Sequence, residues 1–140
     1  MVVHRGDRNR RFVDTSFWIA LQSRPDRYHG AARALLERSL GPLLTSNHVI
    51  GETWTVSRRR RGHAGAVQAI RAIRAVPTLT IVRVEPEEEE EAWRWLNRRD
   101  EREYSFVDAT SFAVMRRRRL REALAFHGDF TAAGFVELRP

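Results

Sequence analysis

The sequence contains no cysteine and no lysine, and these two absences narrow its chemistry before any motif is considered. Without cysteine there can be no disulfide, no CxxC redox pair and no thiolate zinc site, so any metal must bind oxygen or imidazole. Without lysine, a phosphate-binding P-loop and Schiff-base catalysis are both excluded, because each needs the amine. Phospho-aspartate receivers and haloacid-dehalogenase-like phosphatases, which also set an Asp at a strand end, are disfavoured for the same reason, since they normally use a Lys. No stretch approaches the roughly 18 apolar residues of a membrane span. The opening MVVHRGDRNRR also lacks the apolar centre of a signal peptide. A cytoplasmic protein with no membrane contact is the expectation.

The 25 cationic side chains are therefore all arginine, and they leave a net charge of +7. Arginine presents a planar donor fork that matches phosphate oxygens, and a positive surface favours encounter with a polyanion such as nucleic acid. An arginine-biased genome with a soluble surface would explain the same composition. Hydrophobic residues at 42% and charged residues at 31% describe a chain that folds, and 140 residues suffice for one core but not two.

Residues 1–10 read as a polar N-terminal tail and residues 11–140 as a single domain with no repeat or linker. Arg11 to Val13 is a short apolar strand ending at Asp14, followed by helical spacing in SFWIALQ and in DRYHGAARALLERSL, which Gly41-Pro42 closes. Leu43 to Thr45 predicts a buried strand. Ser46 or Asn47 can then cap a helix that runs through VIGETWTVSRRRR to a stop at Gly62. AGAVQAIRAIRAV predicts a further helix, the β-branched TLTIVRV a strand, and Pro86 the start of the helix EEEEEAWRWLNRR. Ser105 opens the helix SFVDATSFAVMRRRR, while EALAF and FVELR read as late strands around HGDFTAAG. Alternating strands and helices imply an α/β fold, a parallel sheet covered on both faces, with ligands at the carboxyl ends of the strands.

Three acids are embedded among apolar or hydroxyl residues instead of in charged runs: Asp14 in FVDTSFWIAL, Glu52 in SNHVIGETW and Asp108 in YSFVDATSFAV. Each also has a purely structural use. Asp14 can cap a helix after a strand, Asp108 can close a capping box with Ser105, and Glu52 can be a half-exposed helix residue. All three nevertheless fall at strand ends or in early helical turns, so they can converge on one edge of the sheet. Two carboxylates about 4 Å apart repel by roughly 1 kcal/mol in water and about 4 kcal/mol at an effective dielectric of 20, so such a cluster needs a counter-charge. A divalent cation supplies one. Mg²⁺ takes oxygen ligands from carboxylates, waters and substrate phosphates, which suits phosphodiester chemistry in a basic protein.

From Arg11 onward the motifs FVDTSFWIAL, TSNHVIGETWTVSRRRRG, YSFVDATSFAVMRR and AFHGDFTAAGF resemble, in order, those of PIN-domain ribonucleases of the VapC toxin type. The resemblance implies a three-layer α/β/α fold with a central, mainly parallel sheet of four or five strands. It implies Mg²⁺- or Mn²⁺-dependent cleavage of RNA leaving a 5′-phosphate, a cognate antitoxin and a homodimer. Carried over position by position, Asp14, Glu52 and Asp108 match the family's metal-binding acids, and Ser16 matches a hydroxyl that supports the first. Thr110 holds a similar place. The fourth acid departs from the pattern. His127 occupies the column where the family has an acid, and Asp129, two residues on, either supplies the missing carboxylate or caps the short turn after it. His127 is a candidate metal ligand or proton carrier.

The arginine runs 58–61 and 116–119 each finish a predicted helix, where cations favour the dipole, and consecutive helical residues point about 100° apart. Some of each run is therefore free to meet RNA phosphates or an acidic partner. Glu87 to Glu91 sits at a helix N-terminus behind Pro86 and reads as structural. Trp18 and Trp54, beside the candidate acids, are expected in the core. Trp93 and Trp95 are two apart on one helix, so one of them should be partly exposed. Against the ribonuclease stand two other readings: a catalytically weak PIN-like RNA-binding or regulatory module, kept open by His127, and a metal-free α/β interaction protein.

Overall fold

The computed structural model describes residues 9–38 and 40–140. Residues 1–8 of the expected tail lie outside the described residues. Arg10, its last residue, donates to the Thr80 hydroxyl at 2.7 Å.

In chain order the elements are β1 (Arg11–Val13), α1 (Thr15–Gln22), α2 (His29–Leu36), β2 (Leu43–Ser46), α3 (Asn47–Arg74), β3 (Leu79–Val82), α4 (Pro86–Arg98), α5 (Phe106–Arg118), β4 (Glu122–Leu124), α6 (Asp129–Ala132) and β5 (Val136–Glu137). All five strands are parallel, in the order β3-β2-β1-β4-β5. The expected sheet of four or five strands is thus a five-stranded one. From β1 the chain steps outward through β2 to β3, then recrosses to β4 and β5. Right-handed crossovers therefore put α1 to α3 on one face and α4 to α6 on the other. Packing agrees: α1 lies on α2 and α3, and α5 lies on α4 and α6.

Local chemistry explains the boundaries. The second helix is shorter than its apolar spacing predicts, because the Asp26 carboxylate accepts from the Tyr28 amide and holds the preceding residues in a turn. Ser46 caps α3 by accepting from the Val49 amide. Gly62 breaks α3, as expected of a stop signal, at φ 77° and ψ −179°, a conformation that a side chain would strain. Helical hydrogen bonding resumes beyond it, so the span Asn47–Arg74 is two helices meeting in a kink at Gly62, as the sequence predicts. Ser105 and Asp108 form a reciprocal capping box at the start of α5.

Phe12 and Val13 of the central strand are fully buried, between Phe17 and Trp18 of α1 and the aromatic group Phe112, Phe130 and Phe135. Trp54, expected in the core, is instead half-buried, with its ring edge-on to His63 at 5.7 Å. Trp93 is 50% exposed, whereas Trp95 packs against Phe112 and Tyr104, so the pair divides as its spacing requires. The glutamate run is structural. Glu88 is fully buried, with one oxygen on the Glu85 amide and the other 2.6 Å from buried Arg118, while Glu91 pairs with Arg116 and Glu85 with Arg117.

Candidate active site

The direction of the chain reverses between β1 and β4, and a parallel sheet opens a crevice at that point beyond its strand ends. Asp14 is the first residue past β1, tied into place by its amide, which donates to the Leu124 carbonyl of β4 at 3.1 Å. Its side chain caps α1: Oδ2 accepts from the Ser16 amide at 3.2 Å and the Ser16 hydroxyl at 2.7 Å. That hydroxyl in turn accepts from the Phe126 amide at 3.2 Å. One serine thus links the carboxyl ends of β1 and β4 and fixes the rotamer of Asp14.

Glu52 enters from the second turn of α3, and Asp108 from the first turn of α5, where its Oδ2 accepts from the Ser105 amide at 3.0 Å. Asp129 opens α6 after Gly128, whose φ of 83° turns the chain back toward the crevice. Together with Thr15, Ser16, Ser105 and His127 these four acids line a cavity of about 290 Å³. Capping and convergence, alternatives in the sequence, are both realised: Asp14 and Asp108 each use Oδ2 as a helix cap while lining the cavity.

Electrostatics confirm the proximity. Burial pushes Asp14 from its ordinary value near 3.8 up to about 6; hydrogen bonds from Ser16 oppose the rise and the charge of Glu52 adds to it. Asp108 is likewise pushed up to about 6, first by burial, against its bond from the Ser105 amide, and further by the charges of Asp14 and Asp129. Burial also raises Glu52, opposed by the Thr15 hydroxyl and aided by the charge of Asp108. The Thr15 hydroxyl, itself buried, completes no hydrogen bond of regular geometry. These acids are held near one another against their mutual repulsion, the situation a bound cation relieves.

Among the described residues no three acidic or histidine side chains stand close enough to form a preassembled metal cage. A Mg²⁺-like ion does not require one, because it keeps several waters and takes few protein ligands. The donor set, carboxylate oxygens with one nearby imidazole and no sulfur, fits a hard divalent cation.

The remaining candidates divide. His127 lies exposed at the rim, its ring edge-on to Tyr28 at 6.0 Å. Asp129 does not cap the turn after it; its Oδ1 lies 3.0 Å from Arg102 Nε, while Arg102 Nη2 donates to the His127 carbonyl at 3.2 Å. Thr110 is not brought to the cavity. It is fully buried, and its hydroxyl donates to the Val107 carbonyl of its own helix at 2.8 Å, because position 110 faces the core from the register that turns Asp108 outward.

Sequence reasoning missed Thr15 and Asp26, which line the same cavity, and Arg102, which grips its fourth acid; of the run 58–61, singled out only as a group, Arg60 is the member that lines the cavity. Arg60 lies 3.8 Å from Asp26 across the cavity wall. Asp26 and Arg102 sit in charged loops, and Arg60 lies inside an arginine run, so only distance in three dimensions singles them out.

A parallel sheet with acids gathered at its point of reversal, wrapped by helices on both faces, is a PIN-like α/β/α protein. The PIN domain pattern matches residues 11–136, and the chain belongs to that family. It is 57% identical over 132 residues to the 23S rRNA-specific endonuclease VapC20 of Mycobacterium tuberculosis, in strains CDC 1551 / Oshkosh and ATCC 25618 / H37Rv, covering 92% of this chain and 98% of the relative. The crystal structure of Mycobacterium tuberculosis VapC20, described as a sarcin-ricin loop cleaving toxin, superposes with a TM-score of 0.87 at 56% identity, covering 92% of this chain and 98% of that one.

Proposed function

We propose that this protein is a metal-dependent endoribonuclease, the toxin of a toxin-antitoxin pair, and that its substrate is a ribosomal RNA hairpin of the sarcin-ricin kind. The observation that carries the reading is the convergence of Asp14, Glu52, Asp108 and Asp129 in one cavity at the reversal point of the sheet. The near full-length similarity to a 23S rRNA-specific endonuclease supports the choice of substrate.

A Mg²⁺ or Mn²⁺ ion held among these acids, by one or two carboxylates directly and by the others through water, would supply charge stabilisation at the phosphodiester and a more acidic water as nucleophile. The chain's own residues do the rest. Ser16 holds Asp14 in one rotamer, and the capping box holds Asp108, so neither acid must be ordered when substrate arrives. Arg60, 59% exposed at the cavity wall, reaches for a non-bridging phosphate oxygen of the RNA. His127 at the rim can carry a proton to or from solvent as the departing oxygen leaves.

Purified protein should cut an RNA carrying the sarcin-ricin hairpin when Mg²⁺ or Mn²⁺ is present, and Asp14→Asn or Asp108→Asn should abolish cutting with the fold intact. Equal cleavage in EDTA would overturn the reading. One observation favours the weaker module as a second reading: Arg102 already neutralises the fourth acid. Binding of the hairpin without cleavage in any metal would select it. A cognate antitoxin and a homodimer belong to the same proposal, and both are tested by co-expression with the neighbouring reading frame and by light scattering.

No helix among the described residues is long and apolar enough to cross a membrane. A cytoplasmic site of action goes with an rRNA substrate.

A further inference from the structure

The arginine run 116–119 is divided by the fold. Arg116 pairs with Glu91, Arg117 with Glu85, and Arg118 is buried on Glu88, so the acidic helix α4 and its N-cap residue take up three of the four. Arg119 is left over. It is exposed, its side chain has no partner among the described residues, and it ends α5 at φ 58° and ψ 35°, the left-handed conformation normally given to glycine. An arginine at this position strains the backbone and returns no side-chain contact among the described residues, a combination that points to use of the side chain elsewhere.

Arg119 lies at the amino ends of the strands, opposite the acids. There it lines a cavity of about 790 Å³ with Arg10, Arg11, Arg121 and Glu122. Arg11 lies 3.2 Å from Glu122, and Arg10 bonds Thr80, so these two are partly engaged. Arg121, like Arg119, is exposed with no side-chain partner among the described residues. The cavity therefore offers two guanidinium forks unopposed among the described residues, beside Arg11 paired with Glu122 and Arg10 engaged by Thr80, a setting for phosphate oxygens.

Resting on the ribonuclease reading above, the geometry points to this amino-edge cavity as a second RNA site, which binds backbone phosphates of the folded substrate away from the scissile bond. Helix α5 carries Asp108 in its first turn and Arg119 just past its last, about 16 Å apart at about 1.5 Å per residue, so the two sites lie at opposite ends of the domain. A folded RNA whose backbone passes around the flank of the domain can engage both. The site discriminates a structured RNA from a short single strand by reach, not by reading bases.

The test compares the wild type with an Arg119→Gly/Arg121→Gln variant. Glycine suits the left-handed position, so the fold should be retained. In EDTA, binding of a sarcin-ricin stem-loop is measured across a salt series; with Mn²⁺, cleavage of that stem-loop is compared with cleavage of a short single-stranded RNA. The expected result is a salt slope lower by about 1 per arginine removed and stem-loop kcat/KM reduced about tenfold, with short-strand cleavage unchanged. Arg121→Lys, which keeps the charge, should bind nearly as the wild type does. An unchanged slope and affinity in a variant that melts like the wild type would overturn the inference alone. So would unchanged RNA binding with loss of antitoxin capture, which would assign the cavity to a protein. A wild type that neither binds nor cuts RNA would remove the parent reading and this one with it.

Discussion

Arg102 holds Asp129 through a contact of 3.0 Å between Nε and Oδ1, and the same guanidinium grips the His127 carbonyl. The fourth acid of the cavity thus has a counter-charge built into the chain, and a cation entering the site must compete with it. Both partners are partly exposed, 40% and 24%, so the pair is worth only about 0.2–1 kcal/mol. Arg102→Gln should therefore tighten Mn²⁺ binding by about 1.5- to 5-fold in calorimetric titration without RNA. Weaker binding would mean that Arg102 orients Asp129 for the metal and does not compete with it.

Asp14 is 7% exposed and raised to about 6 from about 3.8. Between those values the folded protein holds a proton that the unfolded chain has released, so stability falls as pH rises through that window and is lowest above it. Asparagine keeps the capping oxygen and cannot ionise. Asp14→Asn should accordingly gain about 1–3 kcal/mol in urea unfolding at pH 8 and nothing below pH 4.

The same linkage sets the response to metal. Mn²⁺ should raise Tm at pH 8, where Asp14 and Asp108 are ionised, and far less at pH 5, where both hold protons. Differential scanning fluorimetry at the two pH values checks this. An equal rise at both would place the ion elsewhere.

Ser16→Ala removes the hydroxyl that donates to Asp14 and lowers it, keeps the backbone amide bond, and leaves the Phe126 amide without its acceptor. Stability should drop by about 1–2 kcal/mol. The acid limb of the cleavage profile should move to higher pH, so that the defect is larger at pH 6 than at pH 8; a uniform loss would indicate a packing role only.

On the far side of the molecule, Glu88→Ala removes the buried carboxylate that Arg118 meets at 2.6 Å and should cost about 3–5 kcal/mol in chemical denaturation. Replacing both residues with apolar ones of similar size should recover most of that loss.

Strands, helices and caps were legible because their causes lie within a few residues. The β-branched run at 78–84, the Ser46 and Ser105 caps and the Gly62 break each act locally, and each appears where expected. The acids Asp14, Glu52 and Asp108 were legible for a related reason: ionisable groups set in apolar surroundings stand out without knowledge of the fold. Thr110, given a supporting place by the resemblance alone, lies two residues after Asp108 as Ser16 does after Asp14, yet it is not brought to the cavity. Asp14 precedes its helix, whereas Asp108 already lies inside one, so the same offset of two turns the hydroxyl toward the core.

By itself the sequence determined the chemistry available to this protein: oxygen ligands only, arginine as its cation, and carboxylates at strand ends. Tertiary structure decided which partner each charge meets. Asp129 goes to Arg102, the run 116–118 goes to α4 and its N-cap residue, and Arg60 reaches the acid cavity. Local preference acts through neighbours in the chain, whereas Coulomb attraction acts through distance in space, and that distance exists only once the sheet has set its order.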